Sequence, residues 1–202
     1  MTWTRSTHWR TRDRSKLSVQ RQRCAMIRAS KVPQQSRMPS ETLIRPATPR
    51  DLPAIGRLGA LLVKTHHAFD PKRFIAAAPH TEDGYASFLG EQLEEPNITV
   101  LVAIRRDEVI GYTYAGVEGR DYMSLRGPAG VLYDIVVDPQ HRQGGVGRML
   151  LEATMAIPKA RGAPRVVLST AERNEPAQRL FASAGFRRTM IEMTRELDDG
   201  SP

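Results

Sequence analysis

The stretch Val131-Leu-Tyr-Asp-Ile-Val-Val-Asp-Pro-Gln-His-Arg-Gln-Gly-Gly-Val-Gly-Arg-Met-Leu-Leu-Glu152 constrains the fold more than any other part of the chain. It opens with β-branched and aromatic residues around a single Asp, the pattern of a strand covered on both faces. Asp138-Pro139 stops that strand, because proline has no N–H for the ladder. Gly144, Gly145 and Gly147 follow. Apolar or small residues at 146, 149, 150, 153 and 157 then keep the spacing of one helix face.

A strand, a glycine loop and a helix in succession make an anion site. The first turn of a helix leaves backbone N–H groups unpaired and carries partial positive charge. Glycines let a phosphate approach that backbone, and Arg142 and Arg148 place full charges beside it. The expected guest is a phosphate or diphosphate. A P-loop is excluded, since no Lys-Ser or Lys-Thr follows these glycines. A dinucleotide fingerprint is excluded too, because Leu150 stands where its third glycine belongs.

The chain has 202 residues, enough for one ordinary domain with a real core. Its hydrophobic content of 40% fits a soluble protein, and no apolar run nears the ~18 residues that span a membrane. Cys24 is the single cysteine, so an internal disulfide and a Cys-rich metal site are both excluded. A reducing, cytoplasmic compartment is the simplest expectation.

The net charge of +8 is unevenly spread. Residues 1–40 hold ten Lys or Arg against Asp13 alone, while the remainder holds twenty basic and twenty-one acidic residues. Poor in large apolar side chains, this arm is expected to be disordered. Three readings of it stand: a non-specific nucleic-acid tail, an organelle transit segment, or upstream sequence ahead of a working protein that starts near Met38. It lacks the apolar stretch of a secretory signal. Residues 41–198 are expected to form one domain, and 199–202 a tail.

Within that domain Leu43–Arg45 reads as a strand. A helix follows from Leu52, with apolar residues at 52, 55, 58, 61 and 62. Residues 64–84 read as loop or short helical pieces, and 82–95 as a second helix. Residues 98–104 and 109–117 form a predicted hairpin about the turn 105–108. The central helix ends before Pro158 or kinks there. Residues 165–170 read as a strand, Asn174 as the cap of a helix ended by Gly185, and 186–197 as a strand or hairpin. The order β-α-α-β-β-β-α-β-α-β is a mixed α/β layer.

Arg142-x-x-Gly145-x-Gly147 after a strand ending Val-Asp-Pro resembles the acyl-CoA loop of the GNAT superfamily of N-acetyltransferases. The segment Leu168-Ser-Thr-Ala-Glu-Arg-Asn174 through Gly185-Phe186 resembles that family as well, about thirty residues further on and in the right order. The likeness spans roughly residues 42–197. It implies the α/β (α+β) GNAT fold, a mixed central sheet of about six to seven strands flanked by about four helices. It also implies acetyl transfer from acetyl-CoA to a primary amine, with no metal.

Several roles follow from the resemblance. Backbone N–H groups of Gln143, Gly144, Gly145, Val146, Gly147 and Arg148 would hold the CoA diphosphate, with Arg142 and Arg148 adding charge beside it. Ile135, Val136 and Val137 would run beside the pantetheine as a pairing strand, and the Val137 N–H would stabilise the oxyanion. Asn174 would cap its helix, bond the pantetheine, or do both. The family often places a Tyr on that helix to protonate the departing thiolate. Here Phe181 stands at the position, beside the CoA arm and with no proton to give. Tyr133, Ser183 or water would replace it, or the thiolate leaves unaided.

The reaction needs the amine deprotonated. Asp134 is the first choice as base, because a carboxylate inside an apolar strand is costly unless used or paired. Its alternative role is as an acceptor for loop N–H groups. Tyr133, Glu118 and Glu172 are further candidates, and His66, His67 and His141 are either bases as well or, as loop and surface histidines more often are, simply solvated. The acceptor region is expected between His66 and Tyr85 and around Met190. Glu82, Asp83, Glu91, Glu94 and Glu95 would either draw in a cation or face solvent. The run Glu172-Arg-Asn-Glu-Pro resembles that of polyamine acetyltransferases, from which Phe181 departs.

Two other functions compete with the enzyme: a CoA-binding sensor without turnover, and a nucleic-acid-associated protein acting through its arm. No membrane partner is expected, and the chain is expected as monomer or homodimer.

Overall fold

A computed structural model describes residues 41–197. The basic arm 1–40 and the tail 199–202 lie outside the described residues. The elements are β1 (Leu43–Pro46), α1 (Leu52–Phe69), α2 (Thr81–Gln92), β2 (Ile98–Arg105), β3 (Glu108–Glu118), β4 (Ala129–Val137), α3 (Val146–Ala160), β5 (Val166–Leu168) and α4 (Glu175–Ser183). The sheet runs β1-β2-β3-β4-β5, antiparallel except for the parallel pair β4–β5.

Alternation along β2 builds two cores at once. Val100 and Val102 pack with Ile55 and Leu58 of α1 and Leu89 of α2, while Leu101 and Ala103 pack with Val146 and Leu150 of α3. Both sheet faces are therefore covered, as the apolar strand sequences require. A third cluster joins Ala115, Leu132 and Leu151 to Phe181 of α4.

The expected mixed α/β layer is present, with five strands rather than six or seven. Residues 186–197 account for the difference. They carry no strand among the described residues, and Met190, Ile191, Met193 and Leu197 are exposed there. Alternating β-formers become a strand only with a ladder partner, and β5 offers three residues. The region 64–84 also departs from expectation, because Lys64–Phe69 continue α1. Thr65 and His66 bond back to the carbonyls of Leu61 and Leu62, and Phe69 packs edge-on to His66. The central helix runs through Pro158 to Ala160. The ring of Pro158 packs against Gly130, where a Cβ would lie 2.5 Å from Pro158 Cβ.

Two features aim the elements at the cleft. A Cβ on Gly59 would stand 2.2 Å from Cδ1 of Tyr85, so α2 lays that ring directly across α1. The register of β4 slips by one residue between Tyr114↔Asp134 and Ala115↔Leu132, leaving Tyr133 as a bulge. β5 pairs only with Gly130–Leu132. β4 and the edge strand β5 therefore part at Tyr133, as bulges beside functional clefts commonly arrange.

Candidate functional site

Beyond the bulge, the edge of β4 that faces away from β3 is open. The Asp138 N–H donates to the Ile110 carbonyl at 2.9 Å. Antiparallel alternation then turns the Val136 N–H toward β3, and those of Ile135 and Val137 toward the gap. Val136 also buries its side chain in the core. Of the three residues expected along the pantetheine, two present backbone groups to the gap and Val136 does not.

The glycine loop follows. Asp138 accepts the Gln140 N–H at 2.8 Å, and Arg142 Nε reaches back to the Val137 carbonyl at 3.1 Å. Gln143 and Gly145 then take φ of +64° and +78°, which turns the chain into α3. The first helical bond runs from the Met149 N–H to the Gly145 carbonyl at 3.0 Å. Among the described residues, the N–H groups from Gln143 to Arg148 find no acceptor. Space beside Gly145 is open for 4 Å, and Gly147 lies close against Leu180 and Val137. Val146 buries its side chain, so only its N–H faces the loop. Arg148 pairs with Glu152 at 2.8 Å. Six free donors at a helix start, with two guanidiniums nearby, fit a diphosphate. The loop offers backbone rather than side-chain shape.

At the other end of the gap lies a cavity of about 290 Å³. Leu132–Ile135 of β4 and Leu168–Thr170 after β5 form its floor, and Asn174, Ala177 and Phe181 of the α4 region close one side. Asn174 Oδ1 accepts the Ala177 N–H at 3.3 Å, so its cap role and its place on the cavity coexist. Phe181 is buried edge-on to Phe186 and brings no donor. Ser183, an alternative acid, donates to the Leu180 carbonyl of its own helix.

Asp134 faces this cavity and accepts the buried Tyr112 hydroxyl at 3.0 Å. Burial pushes its carboxyl up, against the opposing pull of that hydrogen bond and of positive charge on His66. Tyr85 on the facing wall has its hydroxyl pushed up to about 12, first by burial and then by the Asp134 charge.

Tyr133 and Glu118 form a separate network. The Tyr133 hydroxyl donates to Glu118 Oε1 at 2.5 Å, and Arg126 Nη2 meets Oε2 at 2.5 Å. These two contacts hold the Glu118 carboxyl below its usual range. Burial, then Glu118, pushes the Tyr133 hydroxyl up, so it keeps its proton. Glu118 does not line the cavity, which Tyr133 does. A carboxylate so paired is a weak base.

His66, which the sequence left among three histidines more often solvated than basic, is the one of them that lines the cavity. Its Nδ1 lies 3.0 Å from the Leu62 carbonyl, which can only accept. In the neutral ring Nδ1 therefore carries the hydrogen and Nε2 keeps a lone pair. Phe69 and Phe74 hold the ring edge-on, at 5.9 and 5.1 Å. The apolar positions 55, 58 and 62 continue to 66 and 69 at helical spacing, and that signal would have placed His66 on the inner face. His67 Nδ1 instead bonds the Phe74 carbonyl at 2.9 Å. Glu82, Asp83, Glu91, Glu94 and Glu95 are exposed and stay off the cavity.

Among the described residues no cluster of three or more His, Cys, Asp or Glu could hold a metal, and no helix is long and apolar enough to cross a membrane.

Residues 63–186 match the model of the acetyltransferase (GNAT) family. Mycothiol acetyltransferase of Thermobispora bispora is 33% identical over 127 residues, 58% of this chain and 41% of that protein. The corresponding protein of Clavibacter sepedonicus is 44% identical over 71 residues, 35% of this chain and 21% of that one. The chain thus spans less than half the length of the curated relatives it matches. Among solved structures, a mutant of the BH1408 protein of Bacillus halodurans superposes with a TM-score of 0.68 at 24% identity, covering 77% of this chain and 99% of that one. An aminoglycoside N-acetyltransferase in complex with CoA gives 0.61 at 21%, covering 79% and 96%. At these identities the structures speak for the fold.

Proposed function

The chain belongs to the acetyltransferase (GNAT) family, and from that premise we propose that it moves an acetyl group from acetyl-CoA to a primary amine. It is an acyltransferase; the amine acceptor and the residue roles are our reading. The observation that carries it is the edge of β4, open among the described residues, which links a loop of unpaired N–H groups to a cavity holding one half-buried carboxylate.

Acetyl-CoA supplies an acyl carbon already activated as a thioester. The loop N–H groups from Gln143 to Arg148 hold its diphosphate, and Arg142 and Arg148 supply countercharge. The Ile135 and Val137 backbone, with Asn174, aligns the pantetheine. The Val137 N–H donates to the acyl oxygen as negative charge develops there. Asp134 takes a proton from the incoming ammonium, directly or through water, and the freed lone pair attacks the acyl carbon. The carbon–sulfur bond breaks, the nitrogen sheds its second proton to water as the neutral amide forms, and the thiolate takes a proton from water, since Phe181 has none to give. His66 Nε2 is the second proton acceptor facing the same space.

Release of free CoA thiol, with the product identified as an N-acetyl amine by mass spectrometry, tests the reading. Tight CoA binding without turnover on any amine would overturn it. Phe181 at the acid position favours that second reading, a CoA-binding sensor. With the acidic set of 82–95 solvated and the Tyr85 and Tyr133 hydroxyls keeping their protons, Asp134 and His66 are the bases left on the cavity among the described residues.

A further inference from the structure

We propose that the acceptor is a small primary monoamine carried on an apolar or aromatic body, rather than a polycation or a lysine of a protein. The inference rests on the amine-acetylating reading and names its substrate class.

Charge on the cavity wall comes first. An amine that enters as a cation needs a desolvated negative partner. Among the described residues Asp134 is the one carboxylate lining the cavity, and its Oδ2 is already engaged by Tyr112. Glu118, the nearest alternative through Tyr133, is neutralised by Arg126, to which Asp121 adds a contact at 3.5 Å. One ammonium can thus be matched. A second or third would stay unpaired.

The opposing wall points the same way. Leu62 and Val63 of α1, Phe74 and Ile75 of the following loop and Tyr85 of α2 line it, with His66 edge-on among them. Hydroxyl-rich rings would lose hydration there and find few partners beyond the Tyr85 hydroxyl and His66 Nε2, whereas an alkyl or aryl body gains by burial. Beside this wall stand two cations. The Arg73 guanidinium lies 5.0 Å from the Phe74 ring centre and pairs with Glu192, and Arg173 Nη1 donates to the Phe69 carbonyl at 2.7 Å. Arg173, with no carboxylate partner among the described residues, repels a polycation, whereas the charge of Arg73 is offset by Glu192. The volume, about 290 Å³, sits at the low end for ligand pockets. It must also admit the acetyl thioester, which limits the size of the acceptor.

The test compares kcat/KM for acetyl transfer to phenethylamine and hexylamine with that for spermidine, kanamycin and a lysine-bearing peptide, each at fixed acetyl-CoA. The monoamines are expected to lead by at least about tenfold, equal to ~1.4 kcal/mol. A lead by spermidine, kanamycin or the peptide would overturn the inference while leaving amine acetylation intact. No transfer to any of the five, with acetyl-CoA bound, would sink both the inference and the reading beneath it. As a second readout, Ile75→Glu adds a carboxylate on an exposed loop, with little risk to folding. It should narrow the phenethylamine-to-spermidine ratio several-fold, and an unchanged ratio would count against the apolar wall as the source of selectivity.

Discussion

The loop between β4 and α3 offers its ligand backbone, whereas the pocket under α1 and α2 offers side chains drawn from separate segments of the chain. In the loop, positive φ at Gln143 and Gly145 and the missing side chain at Gly145 make six N–H groups reachable. In the pocket, Asp134 comes from β4, His66 from α1, Phe74 and Ile75 from the loop after it, and Tyr85 from α2. A backbone cradle depends on a few glycines and on chain path. A side-chain pocket depends on how distant elements pack, so it can change its guest while the cradle stays the same.

The largest break in that comparison comes from Asp134→Asn. The amide keeps the shape but cannot take a proton, so kcat should fall by ~10²–10⁴ while CoA affinity stays unchanged. Burial raises the parent carboxyl, which accepts a proton only in its ionised form. The rate should therefore climb with pH along a limb lying above the ordinary carboxylate range, and the limb should vanish in the variant. If the limb survives in Asp134→Asn and disappears in His66→Gln, the proton passes to His66 instead.

Gly145→Val tests the other half. A β-branched residue at φ +78° is strained by ~1–3 kcal/mol, and its Cβ enters space that is open for 4 Å. Calorimetric CoA affinity should drop by ~10²-fold, with the circular dichroism spectrum retained. Full affinity in that variant would remove the loop as the diphosphate site.

The same contrast explains what could be read from residues alone. Strand, glycines and helix in 131–152 are local, so periodicity and the special torsions of glycine and proline announce them in one window. The pocket has no such window. His66 reaches the cavity only because α1 continues to Phe69, and the polar sequence Lys64-Thr-His-His hides that continuation. The bulge at Tyr133 arises from register with β3, which no single strand encodes. Residues 186–197 alternate like a strand, yet lack a ladder partner among the described residues. Glu118 looked like a free carboxylate until Arg126, eight residues on, was seen to bind it.

Gly59→Ala probes the packing that aims Tyr85. The added Cβ would meet Cδ1 of that ring at 2.2 Å, so the ring or α2 must shift. A cost of ~1–3 kcal/mol in urea unfolding is expected, together with a higher KM for the amine. CoA affinity should not change. If both ligands weaken together, the two ends of the cleft are mechanically linked rather than built independently.

Tyr133→Phe should have the smallest effect and is the most discriminating for its size. Tyr133 sits at the bulge between the two ends, with its ring 4.6 Å from that of Tyr114 and its proton committed to Glu118. A hydroxyl so held is a poor donor to a departing thiolate, because burial and the adjacent carboxylate both raise its affinity for that proton. Removing it leaves the ring stacked and Glu118 still paired with Arg126. A change in kcat within ~3-fold, under ~1 kcal/mol, is therefore expected. A loss near ~10²-fold, with CoA affinity intact, would instead make Tyr133 the acid that Phe181 cannot be. The bulge would then join the two halves of the cleft chemically as well as spatially.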